Sequence, residues 1–511
     1  MMLRWKTMAV TIAVGALALA GCSDANEEVS PDDDQPTSVI IGQFLAPATF
    51  DVTQAEWGNR ALYYQAVYDT LLYGNPDGSI GPNVATDFVF SDDNMQLTLT
   101  LRDDVKFTDG TALTADVVKE NLERFKNGGS AFATDLANVE SVEAPDATTV
   151  VLTMSAPDPA LLAYLSREAG LIAAPAMFDA EDAATNPIGS GPYILDESAT
   201  TTGTSYVFTK NPDYWNPEIQ HYDTITMSVL ADPTAGVNAI QAGEVDTMIL
   251  TDNNNLEQVE AAGFSLAASE LNFAGLLLLD RAGEMNPALG DVRVRQAINF
   301  ALDREGLLEA LQVGHGTVTT QVFNKASAAY NPELDSYYTY DPDKARALLA
   351  EAGFADGLDI EMSSTAVLGD AQFPLVGQQL ADVGINVTWV DTPVENYIAD
   401  ISAPKYAAVP MQLETNADWQ LIQFMISRTA PFNPFKFGDD TTDRLISEIQ
   451  NGDQATQDAK SAELNAYIVE QGWFAPYYRV SAAYAFNPEV VDVTLNATNI
   501  VPSLRDITPA Q

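Results

Sequence analysis

A strand, a tight turn and a helix start follow one another in residues 97–117, which read LTLTLRDDVKFTDGTALTADV. Apolar and polar residues alternate over 97–102, as they do in a strand with one buried face. The Asp-Gly pair at 109–110 is typical of a turn. Thr114 is a preferred helix cap, and Asp116 places a negative charge in the first helical turn. This segment therefore predicts a half-buried strand that leads into a helix.

The same periodicities continue along the chain on both sides of this segment. Asp341-Pro342 predicts a helix start, with Asp as the cap and Pro at the first helical position, and Gly353 supplies the stop. Residues 291–312 form another long amphipathic stretch. A further helix face carries Leu375, Val376, Leu380 and Val383, and strand patterns occupy 38–42, 150–154, 206–209, 224–230 and 385–389. This mixture predicts an α/β protein with more than one lobe.

The composition of the chain excludes some classes of protein. The chain has 511 residues, enough for two or three domains, and its 24 Lys and Arg stand against 72 Asp and Glu, a net charge of −48. Such an acidic chain lacks the basic patches that neutralise phosphates, so we expect no nucleic-acid partner. Charged residues make up only 19% of the chain, which argues against a disordered polyelectrolyte. Its one Cys allows no disulfide within the chain.

The first residues predict export. Arg4 and Lys6 precede an apolar run over 8–20, which is short for a bilayer span of about 20 residues, and Gly21-Cys22 follows. This ending resembles the lipobox of bacterial lipoproteins, which implies a signal peptide over 1–21 and a lipid on Cys22. An ordinary signal peptide with a chance Cys stays open. The acidic, Pro-containing stretch up to residue 37 predicts a flexible tether for the body.

Motifs of catalysis are missing from the sequence. It has no GxSxG, HExxH, Walker or GxGxxG pattern. The two histidines, His221 and His315, are too few for a three-His metal site. A carboxylate pair for glycoside hydrolysis stays open, because 72 acids offer many pairs. We therefore expect no enzyme activity, no metal and no cofactor, with a secreted hydrolase as the alternative.

The opening segment and several later motifs, taken in order, resemble the family 5 extracellular solute-binding proteins, the oligopeptide/dipeptide-type receptors of ABC importers. Most of these motif residues also have a structural interpretation as turns, caps and crossings between lobes. The later motifs are GSGPY at 189–193, NPDYW at 211–215, AGEVD at 242–246, DVRVRQA at 291–297, LDR at 302–304, YDPDKA at 340–345 and LLAEAG at 348–353.

The resemblance implies a fold and a domain plan. The fold class is α/β, a two-lobed clamp like the periplasmic binding proteins (type II, cluster C-like), with an extra inserted domain. The resemblance implies that one lobe carries a third, inserted domain, that domain I is discontinuous, and that the ligand lies between domains I and III. The expected boundaries are 38–58, 188–274 and 481–511 for domain I, 59–187 for domain II and 275–480 for domain III.

The resemblance also implies a binding residue. Peptide-binding relatives carry an Asp, in a stretch like GW-x-x-DYxxP, that pairs with the peptide ammonium. The nearest match is Asn416-Ala417-Asp418-Trp419, without the Gly-Trp and the Pro. A carboxylate beside a Trp also holds an ammonium by charge and cation–π contact. A surface Asp at a helix start stays open as the alternative. The candidate ligand-binding residues are Asp418, Trp419, Asn416, Gln412 and Trp57.

The expected function follows from these points. The chain is expected to be a monomeric, lipid-anchored receptor on the extracytoplasmic face of the bacterial cell membrane. It would capture peptides or a related small solute and deliver them to ABC permease subunits with their ATPase. Oligosaccharide binding within the same family stays open, as does a sensor or adhesin role. Nickel is disfavoured by the two histidines.

Overall fold

The computed structural model describes residues 37–414 and 417–511, without the side chain of Glu395. The predicted signal peptide, Cys22, most of the tether and Asn416 lie outside the described residues. No helix in the described part of the chain combines the length and apolar character that crossing a bilayer requires.

Strands and helices alternate through the body, as predicted. The strands are β1 Ser38–Gln43, β2 Leu72–Gly74, β3 Ile80–Pro82, β4 Ala85–Phe90, β5 Gln96–Leu101, β6 Val139–Asp146, β7 Thr149–Met154, β8 Tyr193–Leu195, β9 Ser205–Lys210, β10 Thr224–Val229, β11 Thr247–Leu250, β12 Ser265–Leu278, β13 Gly316–Val318, β14 Leu358–Ser364, β15 Ile385–Asp391, β16 Ala408–Glu414, β17 Phe474–Phe486, β18 Val491–Val493 and β19 Ile507–Pro509. The helices are α1 Ala61–Val67, α2 Ala115–Lys126, α3 Leu161–Leu165, α4 Pro233–Ala242, α5 Leu256–Ala261, α6 Val292–Ala301, α7 Arg304–Gln312, α8 Pro342–Glu351, α9 Gln372–Ala381, α10 Val394–Ile401, α11 Asp418–Leu421, α12 Asp440–Asn451 and α13 Gln454–Glu470.

One large mixed sheet runs through the body in the order β15-β14-β16-β12-β17-β11-β1-β10-β9-β8, with β13 also paired to β17. Its two longest strands, β12 and β17, lie side by side and antiparallel, from Ser265 opposite Phe486 to Leu277 opposite Phe474. They are the only strands that join the two halves of this sheet among the described residues. The halves are therefore connected through a two-stranded ribbon.

The opening segment folds as its pattern predicts. Its strand is β5, in a second, antiparallel sheet of order β4-β5-β7-β6, and its three leucines are buried. Gly110 has a φ of +86°, which suits the predicted turn. The Thr114 side chain accepts a hydrogen bond from the N–H of Val117 and caps α2. One apolar core continues from this sheet to α12 and α13.

Two motifs of the resemblance have structural roles around a buried carboxylate. Asp69 accepts hydrogen bonds from Ser190 Oγ at 2.9 Å, Tyr214 Oη at 2.9 Å and Trp215 Nε1 at 3.0 Å. Gly189 passes so close to α1 that an added Cβ would lie 1.9 Å from the Val67 carbonyl oxygen. The GSGPY and NPDYW motifs thus hold the chain crossing against α1.

The 291–312 stretch differs from the expectation of one long amphipathic segment. It forms two helices, α6 and α7, because Leu302 adopts an extended conformation between them. The Asp303 side chain then accepts a hydrogen bond of 3.1 Å from the Gly306 N–H and caps α7. In the next predicted helix, α9, Val376 and Leu380 are buried, but Leu375 is exposed.

Candidate functional site

A cavity of about 510 Å³ lies among the described residues. Pockets for small ligands commonly measure about 300–1,000 Å³. The wall is built from segments that are far apart in sequence, so the folded chain alone brings them together. These segments lie within residues 77–80, 159–167, 324–328, 417–419, 449–461 and 497–498.

Asp418 lies on the wall of this cavity, as the first residue of α11. Its carboxylate accepts hydrogen bonds from the Ser327 hydroxyl and from the Ala329 N–H, the latter at 3.2 Å. Burial raises the pKa of Asp418 to about 6, and the nearby charge of Asp458 adds to the effect. Within residues 37–414 and 417–511, no Lys or Arg forms an ion pair with it. Asp418 therefore offers a positioned carboxylate that lacks a positive partner.

The other candidate residues fall in different places. Trp419 lines the same cavity but is only 4% exposed and packs in the apolar core. Trp57 is also buried, and it lines a separate, narrow space of about 50 Å³. Gln412 is exposed on β16, opposite Ala274 of β12, and is absent from the described cavity wall. Asn416 lies outside the described residues.

Arg167 lines both spaces and was not singled out from the sequence. Its Nη2 donates a hydrogen bond of 2.6 Å to the Thr498 carbonyl. Three acids lie within its electrostatic reach. Burial raises the pKa of Asp135 to about 8 and of Glu168 to about 7, and it also raises the pKa of Glu414. In each case the Arg167 charge acts in the opposite direction.

A polar network holds the segment that partners Asp418. Arg479 of β17 is buried, and its Nη2 lies 2.7 Å from Asp335 Oδ1. Tyr330 donates a hydrogen bond of 2.7 Å to the other oxygen of Asp335. The Phe323 carbonyl also accepts from Arg479, at 3.3 Å. Because Ser327 lies inside this stretch, the network fixes the donors of Asp418 against the long ribbon.

Neither histidine joins the site. His221 Nε2 lies 3.1 Å from the Arg505 carbonyl oxygen, and His315 lies in the turn between α7 and β13. Within the described ranges, no three His, Cys, Asp or Glu side chains come close enough together to hold a metal ion.

Comparison with known proteins agrees with the family resemblance that the sequence motifs indicate. The sequence model described as "Bacterial extracellular solute-binding proteins, family 5 Middle" matches residues 79–429. The glutathione-binding protein GsiB of Escherichia coli O1:K1 / APEC is 28% identical over 469 residues, covering 86% of each chain.

Solved structures show the same fold. HbpA2 from Haemophilus parasuis matches with a TM-score of 0.82 and 22% identity, covering 93% of this chain and 100% of its own. DppA from Helicobacter pylori, solved in complex with the peptide STSA, matches with a TM-score of 0.75 and 20% identity, covering 93% and 98%. These likenesses confirm the expected fold class, an α/β clamp like the periplasmic binding proteins.

Proposed function

The chain belongs to the family 5 bacterial extracellular solute-binding proteins, and we propose that it captures peptides, or a related small solute, for an ABC importer. Members of this family are extracytoplasmic receptors that bind small solutes and work with ABC permeases. They are not enzymes, so the hydrolase alternative is wrong. The open question is which solute this receptor takes.

The observation that carries the proposal is the Asp418 carboxylate on the wall of the 510 Å³ cavity. Its two hydrogen-bond donors fix the carboxylate, and no cation of the described chain neutralises it. An ammonium group of a ligand supplies the missing positive charge and gains a charge-assisted hydrogen bond. A peptide with a free amino terminus has that group at one end.

The relatives support the same ligand class. GsiB is named for binding glutathione, and the DppA structure holds a four-residue peptide. An oligosaccharide remains the second candidate, but Trp419 and Trp57 are buried, so few aromatic faces are offered for sugar stacking.

Ligand capture is expected to close the clamp about the β12–β17 ribbon. Pairing in this ribbon is irregular between Ser269 and Asn272 and again between Ala274 and Gly275. The expected boundary between domains I and III crosses the strands at these positions, which supports placing the hinge there. The ligand then shifts the population toward the closed form because it binds that form more tightly.

We also propose that the receptor is anchored to the cell membrane. A lipid on Cys22 and the acidic tether would keep the receptor near the permease on the outer face of the cell membrane. One acyl chain alone binds a membrane only marginally, so more than one chain is expected. We expect the receptor to act as a monomer.

A thermal-shift screen of the purified protein tests the ligand class. Pools of di- to pentapeptides and, separately, oligosaccharides are added, and the bound ligand is then identified by mass spectrometry. A ligand present at 100 times its dissociation constant stabilises the protein by about 2.7 kcal/mol, which such a screen detects. Intact peptides in the bound fraction support the proposal. A shift with sugars alone keeps the receptor but overturns the peptide.

A further inference from the structure

The β12–β17 ribbon contains a short stretch in which its regular pairing is broken. The register of β12 against β17 shifts between Ser269 and Asn272. Within the described part of the chain, Ser269 Oγ and Asn272 Oδ1 are buried without a hydrogen-bond partner. Because the regular ladder is interrupted here, this stretch is expected to bend more easily than the strand around it.

Glu270 lies in this irregular stretch and connects it to a distant segment. Its carboxylate accepts a hydrogen bond of 2.7 Å from the Thr317 hydroxyl and another of 2.7 Å from Lys325 Nζ. Lys325 also donates to the Thr317 hydroxyl oxygen, at 3.1 Å. Since Thr317 belongs to β13, which pairs with β17, the three side chains form one small cluster beside the ribbon.

Lys325 lies within a segment of the cavity wall. Its neighbours Asn324 and Ala326 line the 510 Å³ cavity, and so does Ser327. The Lys325 ammonium, in contrast, is paired with Glu270, and Lys325 is absent from the described wall. The wall segment is thus tied to the irregular stretch of the ribbon through the side chain of Lys325.

A tight turn links the position of Lys325 to both donors of Asp418. Asn324 Oδ1 accepts a hydrogen bond of 3.1 Å from the Ser327 N–H, and Ser327 Oγ accepts one of 2.9 Å from the Ala329 N–H. The Ser327 hydroxyl and the Ala329 N–H both donate to the Asp418 carboxylate. Because these short-range bonds close the turn, a displacement of Lys325 also displaces both donors.

The ion pair differs from the buried network that also holds this segment. Arg479 is 2% exposed and lies opposite Phe273, where the pairing of the ribbon is regular. The side chains of Lys325 and Glu270 are 48% and 20% exposed, and Glu270 lies where the pairing is irregular. Partly exposed ion pairs contribute little to the free energy of unfolding, so this pair can be removed without unfolding the protein.

We propose that Lys325 and Glu270 are positioning residues, which couple the binding of a ligand at Asp418 to the bend of the β12–β17 ribbon. This inference rests on the proposed function and specifies how the same site is regulated. When the ribbon bends, Glu270 moves with the strand, and Lys325 carries the donors of Asp418 with it. The coupling is reciprocal, so a ligand that holds Asp418 and its donors in place also favours the bent ribbon.

The positive charge of Lys325 allows a distinctive test. A nearby positive charge repels a ligand ammonium through space, so its removal should tighten peptide binding if charge alone matters. A positioning role predicts the opposite result, because Lys325→Met releases the turn that holds the donors of Asp418. Lys325→Arg keeps both the charge and the ability to donate to Glu270.

Calorimetric titration of the purified protein with di- to pentaalanine makes this measurement. We expect Lys325→Met and Glu270→Gln each to weaken the binding of the tightest of these peptides about fivefold. Lys325→Arg should stay within about twofold of the unaltered protein. The double variant of Glu270→Gln with Lys325→Met should bind no more weakly than either single variant, since both changes remove the same contact.

Lys405→Met is the matched control. Lys405 also forms an ion pair, with Asp400, its side chain is 51% exposed, and it is absent from the described cavity wall. This variant should bind the peptide as tightly as the unaltered protein. Thermal unfolding of each variant shows that it is folded.

Small-angle X-ray scattering measures the closure that accompanies binding. A saturating concentration of the same alanine peptide should reduce the radius of gyration of the unaltered protein more than that of Lys325→Met. Equal reductions in the two proteins overturn the coupling to the ribbon.

The outcomes separate this inference from the proposed function. If no peptide binds the unaltered protein, the proposed function fails and the inference fails with it. If Lys325→Met binds the peptide as tightly as the unaltered protein or more tightly, the receptor stands and the positioning role is overturned. Additive losses in the double variant, or equal losses in Lys325→Arg and Lys325→Met, overturn the assignment to the ion pair.

Discussion

The Asp418 carboxylate accepts a hydrogen bond of 3.2 Å from the main-chain N–H of Ala329. The two residues lie far apart in sequence and meet at the wall of the cavity. A main-chain donor holds the carboxylate in place without neutralising its charge. This arrangement prepares Asp418 for a ligand cation, since its position is fixed before the ligand arrives.

Acid should stabilise the unliganded protein over a defined range. The raised pKa values of Asp418, Glu168 and Asp135, about 6, 7 and 8, mean that the folded protein holds protons that the unfolded chain has released. Stability falls with rising pH wherever the folded state binds more protons. We expect the melting temperature to rise as pH is lowered from about 8 to about 5.

Differential scanning calorimetry across that range makes the measurement. The double variant Asp135→Asn with Glu168→Gln should flatten the dependence, whereas Glu140→Gln should leave it unchanged. A melting temperature that is constant or falls on acidification from pH 8 contradicts the description of the buried acids.

Acidification should weaken the binding of peptides, although it stabilises the unliganded protein. Only the ionised form of Asp418 attracts an ammonium, and its pKa is about 6. Acidification through about pH 6 should therefore weaken the binding of a peptide with a free amino terminus. Titrations at three pH values test this, with an acetylated peptide as the control. Equal pH dependence for both peptides counts against Asp418 as the ionised partner.

Arg304 should be far more important for stability than Arg281, although both are buried. Arg304 donates hydrogen bonds to the carbonyls of Thr319, Pro476, Asn299 and Tyr338 and to the Asn299 side chain. Arg304→Met removes the donors from these acceptors and should cost about 3–5 kcal/mol.

Arg281 provides the matched comparison. Its two hydrogen bonds are long, at 3.4 Å, its Nε has no partner in the described structure, and burial lowers its pKa to about 9. We expect Arg281→Met to cost about 1 kcal/mol or less, since the desolvation of the charge is relieved. Urea unfolding measures both variants. Equal losses of unfolding free energy in the two variants would show that the number of hydrogen bonds does not determine how much each arginine stabilises the protein.

The chain passes so close to α1 at Gly189 that this position should not accommodate a side chain. Because an added Cβ would lie 1.9 Å from the Val67 carbonyl oxygen, Gly189→Ala forces the main chain apart. We expect a loss of about 3 kcal/mol or more in the free energy of unfolding. At Gly129 the nearest atom to an added Cβ is a Gln54 side-chain carbon at 3.5 Å, so Gly129→Ala serves as the control. Similar unfolding curves for the two variants would contradict this account.

Local signals allowed much of the fold to be predicted. The alternation in β5 and the Asp341-Pro342 cap of α8 act over a few residues, and both elements formed as expected. The break at Leu302 was missed, because this leucine continues the apolar pattern of the helix before it. Leu375 was assigned by its spacing to the same apolar helix face as Val376 and Leu380, but it is exposed.

Less of the candidate site than of the fold could be predicted from the sequence. Asp418 was found because it lies in a motif that resembles one of a known family. Glu168, Glu414 and Arg167 carry no such signal, and the sequence offers 72 acids of equal appearance. Their surroundings are set by burial and by the packing of distant segments, which exist only after folding.

We propose above all that Asp418 binds the ammonium group of the ligand. The most direct test compares Asp418→Asn with the unaltered protein, using one peptide with a free and with an acetylated amino terminus. The control is Asp77→Asn, which removes the same charge from the same cavity wall. We expect Asp418→Asn to weaken the free peptide about tenfold or more and to leave the acetylated peptide nearly unchanged. Equal loss for both peptides, or no loss for either, would contradict the account.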